Sequence, residues 1–180
     1  MSGKCVQIST VKIASPIGPY IGLLCPLGLH ELHLDKTVTN DNFTEFGVKS
    51  VQLLNSSKNN QHVDQLVQWL KTYFEDKKSP ENSVQICPEI AHIEIGNFRQ
   101  KVWLTLKTEV TFGKTISYGE LASLSGNPGA AQAVGSAMAN NPISLIIPCH
   151  RVIKSDGSYG NYSKATKNDV KAWLLNHEKG

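Results

Sequence analysis

The chain has 180 residues, 40% of them apolar and 18% charged, with a formal net charge of +3. That length gives one domain or two small ones with a proper core, and the low charge excludes disorder over most of it. No apolar run approaches the ~18 residues of a membrane helix, and Met1-Ser2-Gly3-Lys4 opens no signal peptide.

The first thirty-four residues read as β-structure. Val6, Ile8 and Thr10 alternate with Gln7 and Ser9, Val11 to Ile13 follows, and Ser15-Pro16-Ile17-Gly18-Pro19 breaks the run. Tyr20 to Leu24 is a second strand, Cys25-Pro26-Leu27-Gly28 a turn, and Leu29 to Leu34 a third strand. Residues 35–61 are rich in Asn, Ser, Thr and Lys and read as a surface loop. From His62 the period becomes helical: Val63, Leu66, Val67, Leu70, Tyr73 and Phe74 share a face that should pack on the sheet. Asp76 to Gln85, with Pro80, reads as a linker between halves.

A helix should start after Asn97, a good cap, with Phe98, Val102 and Leu106 on one face. Tyr118 to Leu124 is a short helix, Ser125-Gly126-Asn127 a turn, and a second, small-residue helix should run from Pro128, capped by Asn127, to Met138. Thr166 and Asp169 resemble a capping pair for a last helix through Val170, Trp173 and Leu174. The expected fold class is therefore α/β: a small N-terminal α/β domain of antiparallel strands plus a helix, residues 1–88, then a mainly helical C-terminal domain, residues 89–180, with a helix-turn-helix.

Helix, glycine-bearing turn and helix fit a unit that lays its second helix in a DNA groove, and equally fit two helices packed on each other. The second helix contains no Lys or Arg, although phosphate neutralisation supplies most non-specific DNA affinity. Residues 1–90 carry eight Lys against nine acidic residues, a net of −1; residues 91–180 carry ten Lys and Arg against six acidic residues, a net of +4. A bound polyanion should meet the second half, though a solvated basic face gives the same pattern.

Four cysteines (Cys5, Cys25, Cys87 and Cys149) are too few for a disulfide scaffold and fit a reducing compartment. Ile143 to Ile147 is a buried apolar run that ends in Pro148-Cys149-His150-Arg151, before the turn Lys154-Ser155-Asp156-Gly157. A thiol attacks as thiolate and needs a base or a positive field, which His150 and Arg151 could supply. The alternative is a buried cysteine beside a capping histidine.

The longer pattern narrows this. Asn141-Pro142, Ile146-Ile147-Pro148-Cys149-His150-Arg151-Val152 and Gly160-Asn161-Tyr162-Ser163 closely resemble the active-site signature of the O6-alkylguanine-DNA alkyltransferases. The resemblance extends through Phe112-Gly113, Ile116-Ser117-Tyr118, Gly126 to Ala131 and Trp173 to Glu178, covering residues 97–180 and, more loosely, the N-terminal strands. It implies a single-use repair protein: the Cys149 thiolate takes the alkyl group from O6 of guanine and is not regenerated. His150 would take the thiol proton through a water, Glu178 would orient His150, Tyr118 would protonate or hydrogen-bond the departing guanine, and Asn141 would brace the turn. Ser163, Tyr162, Val152, Tyr159 and Gly160 would hold the base, with the bulk of Tyr159 limiting large substituents.

The partner implied is double-stranded DNA carrying O6-alkylguanine, its nucleotide flipped into the pocket. Ala131, Gln132 and Gly135 of the second helix and Arg151 would meet DNA. The family carries an arginine where this chain has Gln132, so weaker DNA binding is expected. No cofactor is implied for catalysis. Some family members hold a structural zinc through two cysteines and two histidines, which implies Cys5, Cys25 and His30 here. Direct register puts Glu89 at the fourth position; His92 is reached by a local shift and taken as the fourth ligand, while Cys87 needs a different shift and stays unassigned. The alternative is two small core cysteines and a surface histidine. A monomer in the nucleus or cytoplasm, without membrane contact, is expected. The rival functions are an alkylated-DNA binding module without chemistry, and a thiol redox sensor or Cys-His hydrolase.

Overall fold

The computed structural model describes residues 5, 8–43, 50–58, 61–78, 80, 84–88, 97–160, 162 and 167–180. The chain divides into two compact units, residues 1–38 with 42–93 and residues 39–41 with 94–180.

The first unit is built on a four-stranded antiparallel sheet, β1 (Ser9–Ala14), β2 (Tyr20–Cys25), β3 (Gly28–Leu34) and β4 (Gln52–Ser56), in the order β3-β2-β1-β4. Alternation along β1 and β3 buries Val11, Ile13, Leu32 and Leu34. Helix α1 (Gln61–Phe74) buries Val63, Leu66, Leu70, Tyr73 and Phe74, as the periodicity predicts. Leu66 lies over Gly22 of β2, and Phe74 meets Tyr20 with ring centroids 6.2 Å apart. Each such buried side chain contributes about 1.5–3 kcal/mol relative to exposure. The loop expected over residues 35–61 is corrected in part, because it contains β4. That strand lies at the sheet edge and is mostly exposed on both faces, so Leu53 and Leu54 are both exposed and no apolar alternation marks it.

The second unit packs α2 (Phe98–Glu109), α3 (Tyr118–Leu124) and α4 (Ala131–Ala139) on one another, with α5 (Asn168–His177) following later in the chain. Asn97 caps α2, its side chain accepting from the Gln100 N–H at 2.9 Å. Ser117 and Glu120 form a reciprocal capping box on α3, closing two orphan donors. The Trp103 indole N–H donates to the Ala137 carbonyl at 2.9 Å, tying α2 to α4. Two residues preceding α3, Ile116–Ser117 (β5), pair in parallel with Val152–Ile153 (β6), so the start of α3 is fixed to the segment after Cys149.

One expected boundary changes. Helix α4 begins at Ala131 rather than Pro128, because Gly129 has φ +93°, a left-handed conformation that ends any helix passing through it. Helix α5 begins at Asn168 without a side-chain cap, and Thr166 of the expected capping pair lies outside the described residues. Among the described residues, no helix is long and apolar enough to cross a membrane.

Candidate active site

Cys149 opens a single 3-10 turn, Cys149–Arg151, directly after Pro148. Its approach is a tight loop in which the Ile147 N–H donates to the Ile143 carbonyl at 2.9 Å and Leu145 takes φ +69°. A non-glycine residue there is strained and persists only where its surroundings enforce it. Asn141 does much of that enforcing. Its side-chain oxygen accepts from the Ile143 N–H at 3.0 Å, and its Nδ2 donates to the Ile147 carbonyl at 2.7 Å and to the Cys149 Sγ at 3.1 Å. One amide thus fixes the loop and aims a donor at the sulfur.

Beyond the thiol lies a buried ionic network. His150 Nε2 is 2.7 Å from Glu178 Oε1. Glu178, at the end of α5, also accepts from Arg151 Nε at 2.8 Å, Arg151 Nη2 at 3.0 Å and the Gly113 N–H at 3.1 Å. Arg151 Nη1 donates to the Val110 carbonyl at 2.7 Å. This overturns the expectation that Arg151 meets DNA. Its guanidinium is buried and bound by a carboxylate and a carbonyl, so it neutralises Glu178 inside the protein.

Burial would raise the Glu178 carboxyl, but its hydrogen bonds to His150 and Arg151 and the Arg151 charge win and hold it well below the usual carboxylate range. Burial lowers His150, assisted by Arg151 and Lys171 and opposed by Glu178, so the imidazole is neutral at pH 7 and able to accept a proton. Burial pushes the Cys149 thiol up, while Asn141, Lys171 and Tyr162 pull it down. The resting sulfur is therefore a thiol that needs a base. Tyr118, first residue of α3, is raised by burial and by the charge that Cys149 would carry, so it stays protonated and able to donate.

The residues expected to hold the base differ in burial. Val152 is fully buried in β6, Tyr162 is buried beside the thiol, and Tyr159 and Gly160 are half-buried. A Cβ on Gly160 would stand 3.5 Å from the Tyr118 hydroxyl, so the two line one space. Ser163 lies outside the described residues. On α4, Gln132 is exposed, and Ala131 and Gly135 are half-buried. No basic side chain stands on that helix.

Lys171 is the residue that sequence reasoning missed. Its ammonium is buried and donates to the Val152 carbonyl at 2.7 Å and to the Tyr159 carbonyl, where it would favour a thiolate on Cys149. Burial lowers its pKa to about 8. A lysine on α5 reads as a surface residue from sequence, and only its spacing with buried Val170, Leu174 and Leu175 hints otherwise. Lys171→Met removes this cation and leaves two carbonyls without their donor. The Cys149 thiol pKa is expected to rise, with reaction toward iodoacetamide at pH 7 falling about tenfold per unit of rise. A pH–rate profile checks this, with Lys171→Arg retaining part of the rate; an unshifted profile in Lys171→Met would remove Lys171 from the site.

Fold and site together define a protein with a buried cysteine thiol next in the chain to a histidine held by a carboxylate. The family model for the 6-O-methylguanine DNA methyltransferase DNA-binding domain matches residues 97–180. The chain is 40% identical to methylated-DNA–protein-cysteine methyltransferase of Cricetulus griseus, over 99% of this chain and 85% of that one. It is 37% identical to the Homo sapiens protein of the same name, over 97% of this chain and 82% of that one. The crystal structure of Mycobacterium tuberculosis OGT in complex with DNA superposes with a TM-score of 0.69 at 31% identity, over 93% and 91% of the two chains. The chain belongs to the methylated-DNA–protein-cysteine methyltransferase family. Its reaction is the one the family name states, transfer of a methyl group from DNA to a cysteine of the protein, which repairs the base directly.

Proposed function

We propose that Cys149 is the acceptor and that the chain repairs O6-alkylguanine in double-stranded DNA, once per molecule. The observation that carries this reading is the buried Cys149 thiol with Asn141 at 3.1 Å on one side and the His150–Glu178 pair next to it in the chain. The thiol proton passes to His150 at Nδ1, the ring nitrogen that Glu178 does not hold, through a water. The sulfur attacks the alkyl carbon, an S–C bond forms, and the C–O6 bond breaks with its electron pair leaving on guanine. Tyr118 donates a proton to the departing base and regains one from solvent while His150 releases the thiol proton to solvent, so that the net reaction moves one proton from thiol to guanine. Glu178 and Arg151 hold the imidazole in place, as the third member does in hydrolytic triads. Val152, Tyr159, Gly160, Tyr162 and Ser163 form the base pocket, and the target nucleotide leaves the stack to reach it.

Helices α3 and α4 form the helix-turn-helix, with Ala131, Gln132 and Gly135 toward the groove. We assign residues 1–88 and 89–180 as the two domains, and a monomer in the nucleus, with the cytoplasm as second location. A structural zinc in the first domain takes no part in the chemistry. The deciding experiment is to incubate the protein with a duplex containing O6-methylguanine, weigh the intact chain and map the added mass. One methyl mass per chain, located on Cys149, is expected; tight binding with no added mass would instead make this a binding module.

Gln132 is exposed on α4 and brings no charge. Gln132→Arg is expected to tighten duplex binding several-fold at low salt and steepen the salt dependence by about one unit. Duplex titrations at two fixed salt concentrations check this; unchanged or weaker affinity would show that Gln132 does not limit binding.

A further inference from the structure

Three of the four cysteines meet in the first unit, far along the chain from Cys149. The Sγ of Cys5 is 3.3 Å from that of Cys87, and the Sγ of Cys25 is 3.6 Å from both. With an imidazole nitrogen of His30, the four donor atoms lie within 4.8 Å of one another. None of the cysteines is in a disulfide. His30 Nε2 is buried with no hydrogen-bond partner among the described residues.

The backbone, independently of any ion, puts Cys87 there. Cys25-Pro26-Leu27-Gly28 is the turn between β2 and β3, and the Leu27 N–H donates to the Cys25 Sγ at 3.2 Å, a contact that favours thiolate. Gly28 has φ +136°, and a Cβ on it would fall 2.4 Å from the Gln85 carbonyl oxygen. Glycine therefore lets the segment before Cys87 pass directly over the turn. That segment is then fixed to β3: the Leu29 N–H donates to the Gln85 carbonyl at 2.8 Å, and the Cys87 N–H to the Leu29 carbonyl at 3.0 Å. Just past the expected linker, Ile86 therefore bridges Leu29 in strand-like fashion, and the Cys87 sulfur reaches those of Cys5 and Cys25.

Zinc takes sulfur at about 2.3 Å and nitrogen at about 2.0–2.1 Å in a tetrahedron, which separates its sulfurs by about 3.8 Å. Three sulfurs at 3.3–3.6 Å need open only slightly to receive it. We propose that Cys87 is the fourth ligand, so that this chain holds a thiophilic divalent ion through three thiolates, Cys5, Cys25 and Cys87, and the imidazole of His30. His92, the ligand that the sequence suggested, lies outside the described residues and is not needed to complete the tetrahedron. Each thiol loses its proton to solvent as its metal–sulfur bond forms, and the filled site carries a net charge of −1 where a two-cysteine, two-histidine site is neutral. Among the described residues the cluster offers sulfur and nitrogen and no carboxylate, a donor set that disfavours hard ions such as magnesium.

The test reads the metal and not the repair reaction. Full-length protein purified without added metal is weighed under native conditions, then depleted and reloaded with cobalt(II) as the spectroscopic probe. One zinc per chain is expected, and one cobalt with a sulfur-to-cobalt charge-transfer band of three-thiolate strength. Because that band grows with the number of cobalt–sulfur bonds, Cys87→Ser should lower it by about one third. Cys87→His should keep one cobalt per chain at the same two-thiolate strength, and it serves if Cys87→Ser fails to fold. Cys149→Ser should leave the band unchanged. A wild-type band of two-thiolate strength, an undiminished band in either Cys87 variant, or a protein that takes up neither metal would overturn the assignment.

Discussion

Cys149→Ala is expected to abolish methyl uptake outright while leaving the fold nearly unchanged. The chemistry needs a polarisable nucleophile that can be deprotonated near neutral pH, and alanine has none. The structural cost is small by comparison: one buried sulfur and its hydrogen bond to Asn141 are lost, about 1 kcal/mol. Cys149→Ser separates the two roles of the atom. Serine can still accept from Asn141, but its hydroxyl is far less acidic than a thiol, so uptake should again be absent over the time in which wild type is complete. Intact mass after incubation with methylated duplex reads the chemistry, and duplex affinity reads the pocket. Methyl mass on the Cys149→Ala chain would show that another residue is the acceptor.

Glu178→Ala is expected to lower stability by about 3–5 kcal/mol, because it leaves the Arg151 guanidinium buried without its counter-charge. For a chain of this size that is a fall in melting temperature of roughly 6–20 °C. The sign of the pH dependence follows from the depressed Glu178 carboxyl. Its contribution is fully present above the ordinary carboxylate pKa of about 4.3 and is lost as pH falls from there toward the native value. Wild type should therefore lose stability steeply below about pH 5, and Glu178→Gln should show a shallower acid slope. Glu178→Gln also removes the charge that raises His150, so the imidazole becomes a weaker base and transfer slows even where the fold survives. Thermal melts from pH 3 to 8, paired with single-turnover rates, separate the two effects. Equal acid slopes in wild type and Glu178→Gln would mean that the carboxylate is not the titrating group.

Glu178 also shows where sequence reading stops. Its pairing with His150 follows from a resemblance, since twenty-eight positions separate them and nothing local links them. The adjacent Arg151 reads as a cation for DNA because arginine next to a reactive site in a basic half usually faces a polyanion. The structure turns it inward, because a buried carboxylate holding a neutral histidine needs a full positive charge to stay ionised. Lys171 shows the same limit. Its place at the Val152 and Tyr159 carbonyls depends on how α5 lies against the segment after Cys149, which no spacing rule encodes.

Elements whose signal is local were legible. Helix α1 announces itself by period, α2 by Asn97 followed by an apolar face, and β2 and β3 by their turns, whereas β1 was legible in place but not in face, since Ile8 and Thr10 are exposed and Ser9 is buried. Strand β4 was not, because an exposed edge strand owes its existence to the hydrogen bonds that β1 offers it. The start of α4 was misplaced because Gly129 adopts a conformation that glycine permits but sequence does not compel.

The four cysteines and the charge of +3 serve separate ends. The sequence by itself determined that Cys149 is the residue to watch, through the run around Pro148-Cys149-His150-Arg151, and that the helix expected to meet DNA is uncharged. Both are written in adjacent residues. Tertiary structure decided what the other charges and thiols do: Arg151 and Lys171 are interior cations, and Cys87 joins Cys5, Cys25 and His30. Interior ions and multi-ligand clusters are assembled from distant parts of the chain, and their energetics depend on burial and distance, which only the folded chain sets.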